Sequence, residues 1–400
     1  MKQLKKLIGQ GGATALLLGA LGASAADRIN ITKNYDPTKL VPIALSGFAA
    51  GTTTVLRFDL EAQGFSVVPQ SRADFMLTGK PSVPVEGLLQ DRNKAVYFNK
   101  KYQGGNSRLQ AHALSDDVVL AVTGKPGISR TKVMFKMVTG RRSREIYMAD
   151  FDGFNARPLT QDKRLAASPD WAPGNQRVYY TSYWVHGGVE NPTIVAHNLG
   201  TGQRGVFARF AGLNTSAAVG PSGRVAMVLS LGGSPDIYVA RANWDFNQDR
   251  FGKQLTRVTK TKEAESSPAW SPDGQWLCFA AKSGGRRILV RAPAGGGGMQ
   301  RITIAGARNP SEPAWSPDGR WIAFTAQMGG FQICVVPAGG GEAKVLTQGE
   351  DPSWAPNSRT LIFTRRGVNK RTLALLDVPT KQVKNIPAFA ASSSQAAWQH

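Results

Sequence analysis

The sequence predicts a mainly β fold, a six-bladed β-propeller preceded by a small α/β domain, and three observations carry that prediction. A strand–turn–strand unit recurs, clearest in Glu312-Pro-Ala-Trp-Ser-Pro-Asp-Gly-Arg-Trp-Ile-Ala-Phe-Thr-Ala326. A last anchor of the same kind, Trp398, stands two residues from the C-terminus with no strands behind it. Strand candidates at 132–138, 145–149 and 157–160 have no anchor in front of them. Joining the orphan anchor to the orphan strands closes a ring, and closure removes the sheet edges that an open array exposes.

Taken in chain order, the first 25 residues read as a cleavable secretory signal. Lys2, Lys5 and Lys6 precede an apolar run at 13–23 and the small-x-small site Ala23-Ser-Ala25. The run is too short to span a bilayer, so the expected product is soluble and exported. Residues 26–128 then hold an arm and a small domain. The arm, 27–40, carries Asp27, Arg28, Ile29 and Ile31 and looks extended. Strands are expected at 41–46, 65–68, 73–78 and 94–98. Helices are expected over 52–63, stopped by Gly64, and over 107–123, ended by Gly124. Alternating strands and helices make an α/β unit. Its boundary with the ring lies at Lys125-Pro-Gly127, and no Gly-Ser linker separates the two.

The ring occupies 129–400. In the clearest unit Pro317 pre-sets φ for the turn, Asp318 bonds its own backbone and Gly319 takes positive φ. Strands at 332–336 and 343–347, joined through a Gly-rich turn, bring the unit to four, the content of one blade. Trp171, Trp270, Trp315 and Trp354 anchor four copies, and Val219 stands at the anchor position of a degenerate fifth. Spacings of 48, 51, 45 and 39 residues vary because the connecting loops differ in length. The anchor tryptophans are read as wedge fillers between blades, with a sugar-stacking platform as the alternative if they were exposed.

Composition restricts function. Formal charge is +22, and removing three lysines with the signal leaves 22 − 3 = +19. Such an excess attracts acidic proteins, lipid headgroups, polyanionic polysaccharide or nucleic acid, the last disfavoured by the export signal and not expected as a partner, and it also serves solubility alone. Cys278 and Cys334 each sit inside an apolar strand and read as buried thiols. Four histidines, His112, His186, His197 and His400, form no HExxH pair and show no second ligand at metal spacing. There is no G-x-S-x-G elbow, and the Gly-rich turns lack the Lys-Ser/Thr of a phosphate loop. No catalytic residue, metal ligand or cofactor is assigned.

Strand order predicts a charged face. Turns between second and third strands, and the crossings between blades, share one side of the ring. That side collects Arg141, Arg142, Arg144, Lys163, Arg164, Lys260, Lys262, Arg286, Arg287, Arg308, Arg365, Arg366, Lys370 and Arg371, with few acids. A loop at 182–192 adds Tyr183 and Trp184, the aromatic chemistry of an interface hot spot. A focused potential of this kind steers acidic partners, although each residue taken alone reads first as solvated charge and only the cluster points to a binding face.

The signal, the small domain and the anchored SPDG turns together resemble the TolB family, periplasmic propellers of the Tol–Pal envelope system. The most specific match is the junction. Ala111-His-Ala-Leu-Ser-Asp-Asp-Val-Val119, Leu120-Ala-Val-Thr-Gly-Lys-Pro-Gly-Ile-Ser129 and Thr131-Lys-Val-Met-Phe135 lead into the first propeller strand. Ile146-Tyr-Met-Ala-Asp-Phe-Asp-Gly153 is similar as well. The resemblance implies a non-enzymatic periplasmic scaffold. It implies that the propeller binds the peptidoglycan-associated lipoprotein Pal, and that the arm reaches the inner-membrane protein TolA. Two other classes stay open on the residues alone: an exported propeller hydrolase or lyase acting on anionic polysaccharide, and a polyanion-binding module.

Overall fold

The structure, a computed structural model, describes residues 35–387, 389 and 391–399. The expected signal and the arm residues Asp27, Arg28, Ile29 and Ile31 lie outside the described residues. Among the described residues no helix is long and apolar enough to cross a membrane.

The first unit has strands β1 (Val41–Ser46), β2 (Phe65–Val67), β3 (Phe75–Gly79), β4 (Val85–Asp91) and β5 (Val96–Tyr102), with helices α1 (Ala50–Glu61) and α2 (Ser107–Thr123). Sheet order is β2-β1-β3-β4-β5, with β1 parallel to both its neighbours. Leu56 and Leu60 of α1 and Leu114 and Val118 of α2 bury against Ile43, Leu77, Leu89 and Phe98. Asn106 caps α2 by accepting the Leu109 N–H at 3.0 Å, and Gly124 closes it at φ 69°. Strand β4 escaped the sequence reading, and β5 starts two residues later than expected. The reason is Gly87 in the middle of β4: a Cβ there would meet the Leu114 side chain at 2.5 Å, so the apolar alternation is interrupted where the helix packs.

Six four-stranded sheets follow around a ring. The first blade takes its innermost strand, Ser393–Trp398, from the far end of the chain, pairing it with Lys132–Gly140, then Ser143–Asp150 and Arg157–Pro158. Ala397 faces Met134 and Trp398 faces Val133 across that seam. The innermost strands of blades two to six are Ala166–Trp171, Asn214–Val219, Glu265–Trp270, Ser311–Trp315 and Glu350–Trp354. Val219 therefore occupies the anchor position of the third blade.

The SPDG turns form as their chemistry predicts. Ser316 Oγ accepts the Trp321 N–H at 3.0 Å, Asp318 accepts the Arg320 N–H at 3.1 Å, and Gly319 sits at φ 74°. The anchors then tie blade to blade. Indole N–H groups of Trp171, Trp270 and Trp354 donate to the carbonyls of Ala397, Ala218 and Ala314, each the residue before the preceding blade's anchor. Trp315 departs from this rule: it is half-buried and donates to Gly319 of its own turn at 3.2 Å. Where the tryptophan is missing, the Val219 N–H donates to the Asp170 carboxylate at 2.7 Å.

Cys278 and Cys334 share one apolar cluster between blades four and five as free thiols. Burial pushes Cys334 up to about 11 and Cys278 higher still.

Candidate functional site

Each innermost strand carries a bulge three residues before its anchor. Ser168, Ser216, Ser267, Glu312, Asp351 and Gln395 all adopt φ between 50° and 55°, and the strand register shifts at each. Non-glycine residues visit this region at a cost, so its recurrence in six blades marks a shared structural demand. The bulge turns these residues, and the proline or alanine after each, toward a central channel of about 650 Å³. Among the described residues no lysine or arginine lines it, whereas Asp170, Glu312 and Asp351 do. Asp351 is pushed up to about 8 by burial in the wall and by the charges of Glu312 and Glu350.

Positive charge lies outside this channel, on the turns and crossings. Arg141, Arg142, Lys163, Lys260, Lys262, Arg286, Arg287, Arg308 and Lys370 are exposed, and none has a carboxylate partner among the described residues. Others expected there are engaged. Arg366 and Arg371 both hold the buried Glu350, at 2.5 and 2.8 Å. Arg164 pairs with Glu190 at 3.5 Å, Arg365 donates to Asn385, and Arg144 folds back onto the carbonyls of Gly140 and Ser143.

The expected loop at 182–192 is instead a long hairpin. Strands Arg177–His186 and Val189–Asn198 pair through to His186↔Val189, and Gly187 and Gly188 turn the chain at φ 59° and 79°. Trp184 is half-buried, one side of its ring packed against the cluster between the first two blades. The exposed apolar surface at the hairpin tip belongs to Val185 and Val189. Its first half, Val178–Ser182, is buried throughout, and the aromatic pair that follows suits a strand and a binding loop equally well.

A second constellation joins the small domain to the ring, and the sequence hid it because its members are far apart. His112 Nδ1 and Asp59 Oδ2 lie 2.7 Å apart, and His112 Nε2 faces Asp152 of the first blade at 3.8 Å. Arg108, one turn earlier on α2, pairs with the same Asp152. All three acid and imidazole groups are buried and their ligand atoms lie within 4.8 Å of one another, so the expectation of no second ligand near a histidine is corrected. Arg108 already supplies a cation to Asp152, and the set reads as an interdomain ion chain, Asp–His–Asp–Arg. Burial works against a charged His112, but the hydrogen bond and charge of Asp59, with Asp152, outweigh it and raise its pKa. Around the chain, Phe58 and His112 pack edge-on against Phe151, and Lys384 pairs with Glu61. Asp116, in the same motif, accepts the Ser129 N–H and the Arg130 guanidinium, both at 2.8 Å, pinning the linker to α2.

Residues 119–400 match the family model described as the TolB β-propeller domain, PD40. The chain belongs to this family. Over 236 residues it is 31% identical to the Tol-Pal system protein TolB of Aromatoleum aromaticum, covering 50% of this chain and 54% of that protein. Over 188 residues it is 32% identical to the TolB homolog of Chlorobium chlorochromatii, covering 46% and 40%. The matches thus span about half the length of these TolB relatives. TolB from Acinetobacter baumannii superposes with a TM-score of 0.78 at 21% identity, over 93% of this chain and 99% of that one, which shows a shared fold.

Proposed function

We propose that the chain is a non-enzymatic, periplasmic component of a Tol–Pal-type envelope system. In this reading the exposed basic rim docks an acidic partner, a Pal-like lipoprotein, and the N-terminal arm engages a TolA-like inner-membrane protein. The observation that carries it is the division of charge: unpaired cations crowd one set of turns and crossings, while the channel wall has none. Complementary charge of this kind raises association rates more than it lengthens residence. The name of the Aromatoleum aromaticum relative, a Tol-Pal system protein, supports the assignment to the system.

Surface plasmon resonance against the soluble domain of a Pal-like lipoprotein at two salt concentrations tests the reading. Arg141→Glu with Arg142→Glu removes two exposed, unpartnered charges and should slow association and flatten its salt dependence. Arg241→Glu, at the end of a third strand on the opposite side of the ring, should leave binding alone. Loss of binding in Arg241→Glu with the double reversal silent would assign the partner to the other face.

A further inference from the structure

We propose that the crevice between the fourth and fifth blades is a binding site for a compact polyanion, a pyrophosphate-type group with an apolar flank. Four arginines from three chain segments surround one cavity of about 500 Å³. Arg286 and Arg287 open the third strand of the fourth blade, Arg301 lies on its outer strand, and Arg308 is in the crossing to the fifth. The frame is held by one side-chain and one backbone acceptor. Asn309 Oδ1 accepts the Arg287 N–H at 3.4 Å, and the Arg308 carbonyl accepts the Gln327 N–H at 3.0 Å.

Among the described residues Arg141 and Arg142 are equally without a carboxylate partner; what separates this crevice is that four unpartnered arginines line one cavity. Elsewhere Glu350 takes two arginines and Glu190 takes Arg164. Among the described residues, none of these four guanidinium groups has a carboxylate, carbonyl or aromatic partner. Four like charges around one cavity repel each other, and an anion bound between them reverses that repulsion into attraction. A single carboxylate brings one charge. A pyrophosphate brings about three, on oxygens that planar guanidinium forks bind in pairs. The half-buried Ile288, Ile304 and Ala307 add apolar surface beside the arginines and suit hydrocarbon attached to the anion. Both a free oligophosphate and a lipid-linked diphosphate present this chemistry.

The inference stands apart from the lipoprotein reading, because it is tested with no protein partner present. Isothermal titration of the exported chain with inorganic pyrophosphate should show saturable one-site binding. Arg287→Ala with Arg308→Ala should weaken it about tenfold or more, the loss expected for charge-assisted hydrogen bonds. Arg287→Lys with Arg308→Lys keeps the charge, loses the fork and should fall between. Arg141→Ala with Arg142→Ala, on the first blade, should change affinity less than twofold. Farnesyl pyrophosphate separates the sources: at least tenfold tighter binding than pyrophosphate, lost in Ile304→Asp, identifies a lipid-linked ligand, and equal affinity identifies a free one. Absence of saturable binding in the unaltered chain, or equal weakening by both alanine pairs, overturns the site.

Discussion

Removing the Trp398 side chain asks how much of the ring's stability is held at its seam. The indole is fully buried among Val133, Phe135, Phe151 and Ile362, so it contacts the first blade and the sixth together. Its N–H donates to Thr131 Oγ1 at 2.8 Å. An indole of this kind buries about 200 Å², which at roughly 25 cal/mol per Å² is about 5 kcal/mol, and large-to-alanine core changes cost a similar 3–5 kcal/mol. In a domain of this size each kcal/mol lowers Tm by about 2–4 °C, so Trp398→Ala should melt roughly 10–15 °C lower in scanning calorimetry. Trp315→Ala supplies the comparison. That ring is half-buried and bonded within its own turn, so its loss should cost about 1–2 kcal/mol. A chain ending at Gln395 should in addition expose the edge of Lys132–Gly140 and aggregate. Equal costs for the two tryptophans, or an unaltered melting temperature on truncation, would refute closure as the source of stability.

Three further outcomes follow from the same contacts. The raised pKa of His112 means that its proton stabilises the folded chain fully below about pH 6.5, its unfolded value, and that this contribution fades as pH rises through the higher folded value. Melting temperature from pH 6 to 9 should therefore fall more steeply in the unaltered protein than in His112→Gln. Burial pushes Asp170 up to about 7, against the Val219 N–H that favours its charged form. Stability is lost as pH climbs from about 4 through 7. Asp170→Asn keeps an acceptor for that N–H and should be the more stable protein at pH 8, the gap closing near pH 5 in urea titrations. Trp184→Ala should lower Tm by a few degrees while leaving dissociation of the proposed lipoprotein partner unchanged, because its half-buried ring packs against the cluster between the first two blades. Faster dissociation at unaltered Tm would restore it as an interface anchor.

Local chemistry made the blades legible. Pro317, Asp318 and Gly319 specify a turn whatever surrounds them, and the same letters recur at Pro272-Asp-Gly274. Val219 was placed by position in the repeat even though its indole partner is gone. Helix α2 was bounded correctly because Asn106 and Gly124 act within one turn of their own ends. Strand β4 was not legible, since Gly87 makes room for Leu114 from 27 residues away, a demand that sequence periodicity does not carry.

By itself, then, the sequence determined the repeat, the number of blades and the excess of positive charge. Tertiary structure alone decided which charges remain available and which are taken. Arg366 and Arg371 are taken by Glu350, whereas Arg287 and Arg308 face an open crevice, and nothing in their neighbours distinguishes them. It also decided that His112 meets Asp59, 53 residues before it, and Asp152, 40 residues after it. The physical reason is range. Turns, caps and alternation depend on contacts within a few residues, but pairing of charges depends on which distant segments packing brings within about 4 Å, where burial strengthens the attraction and sets the protonation state.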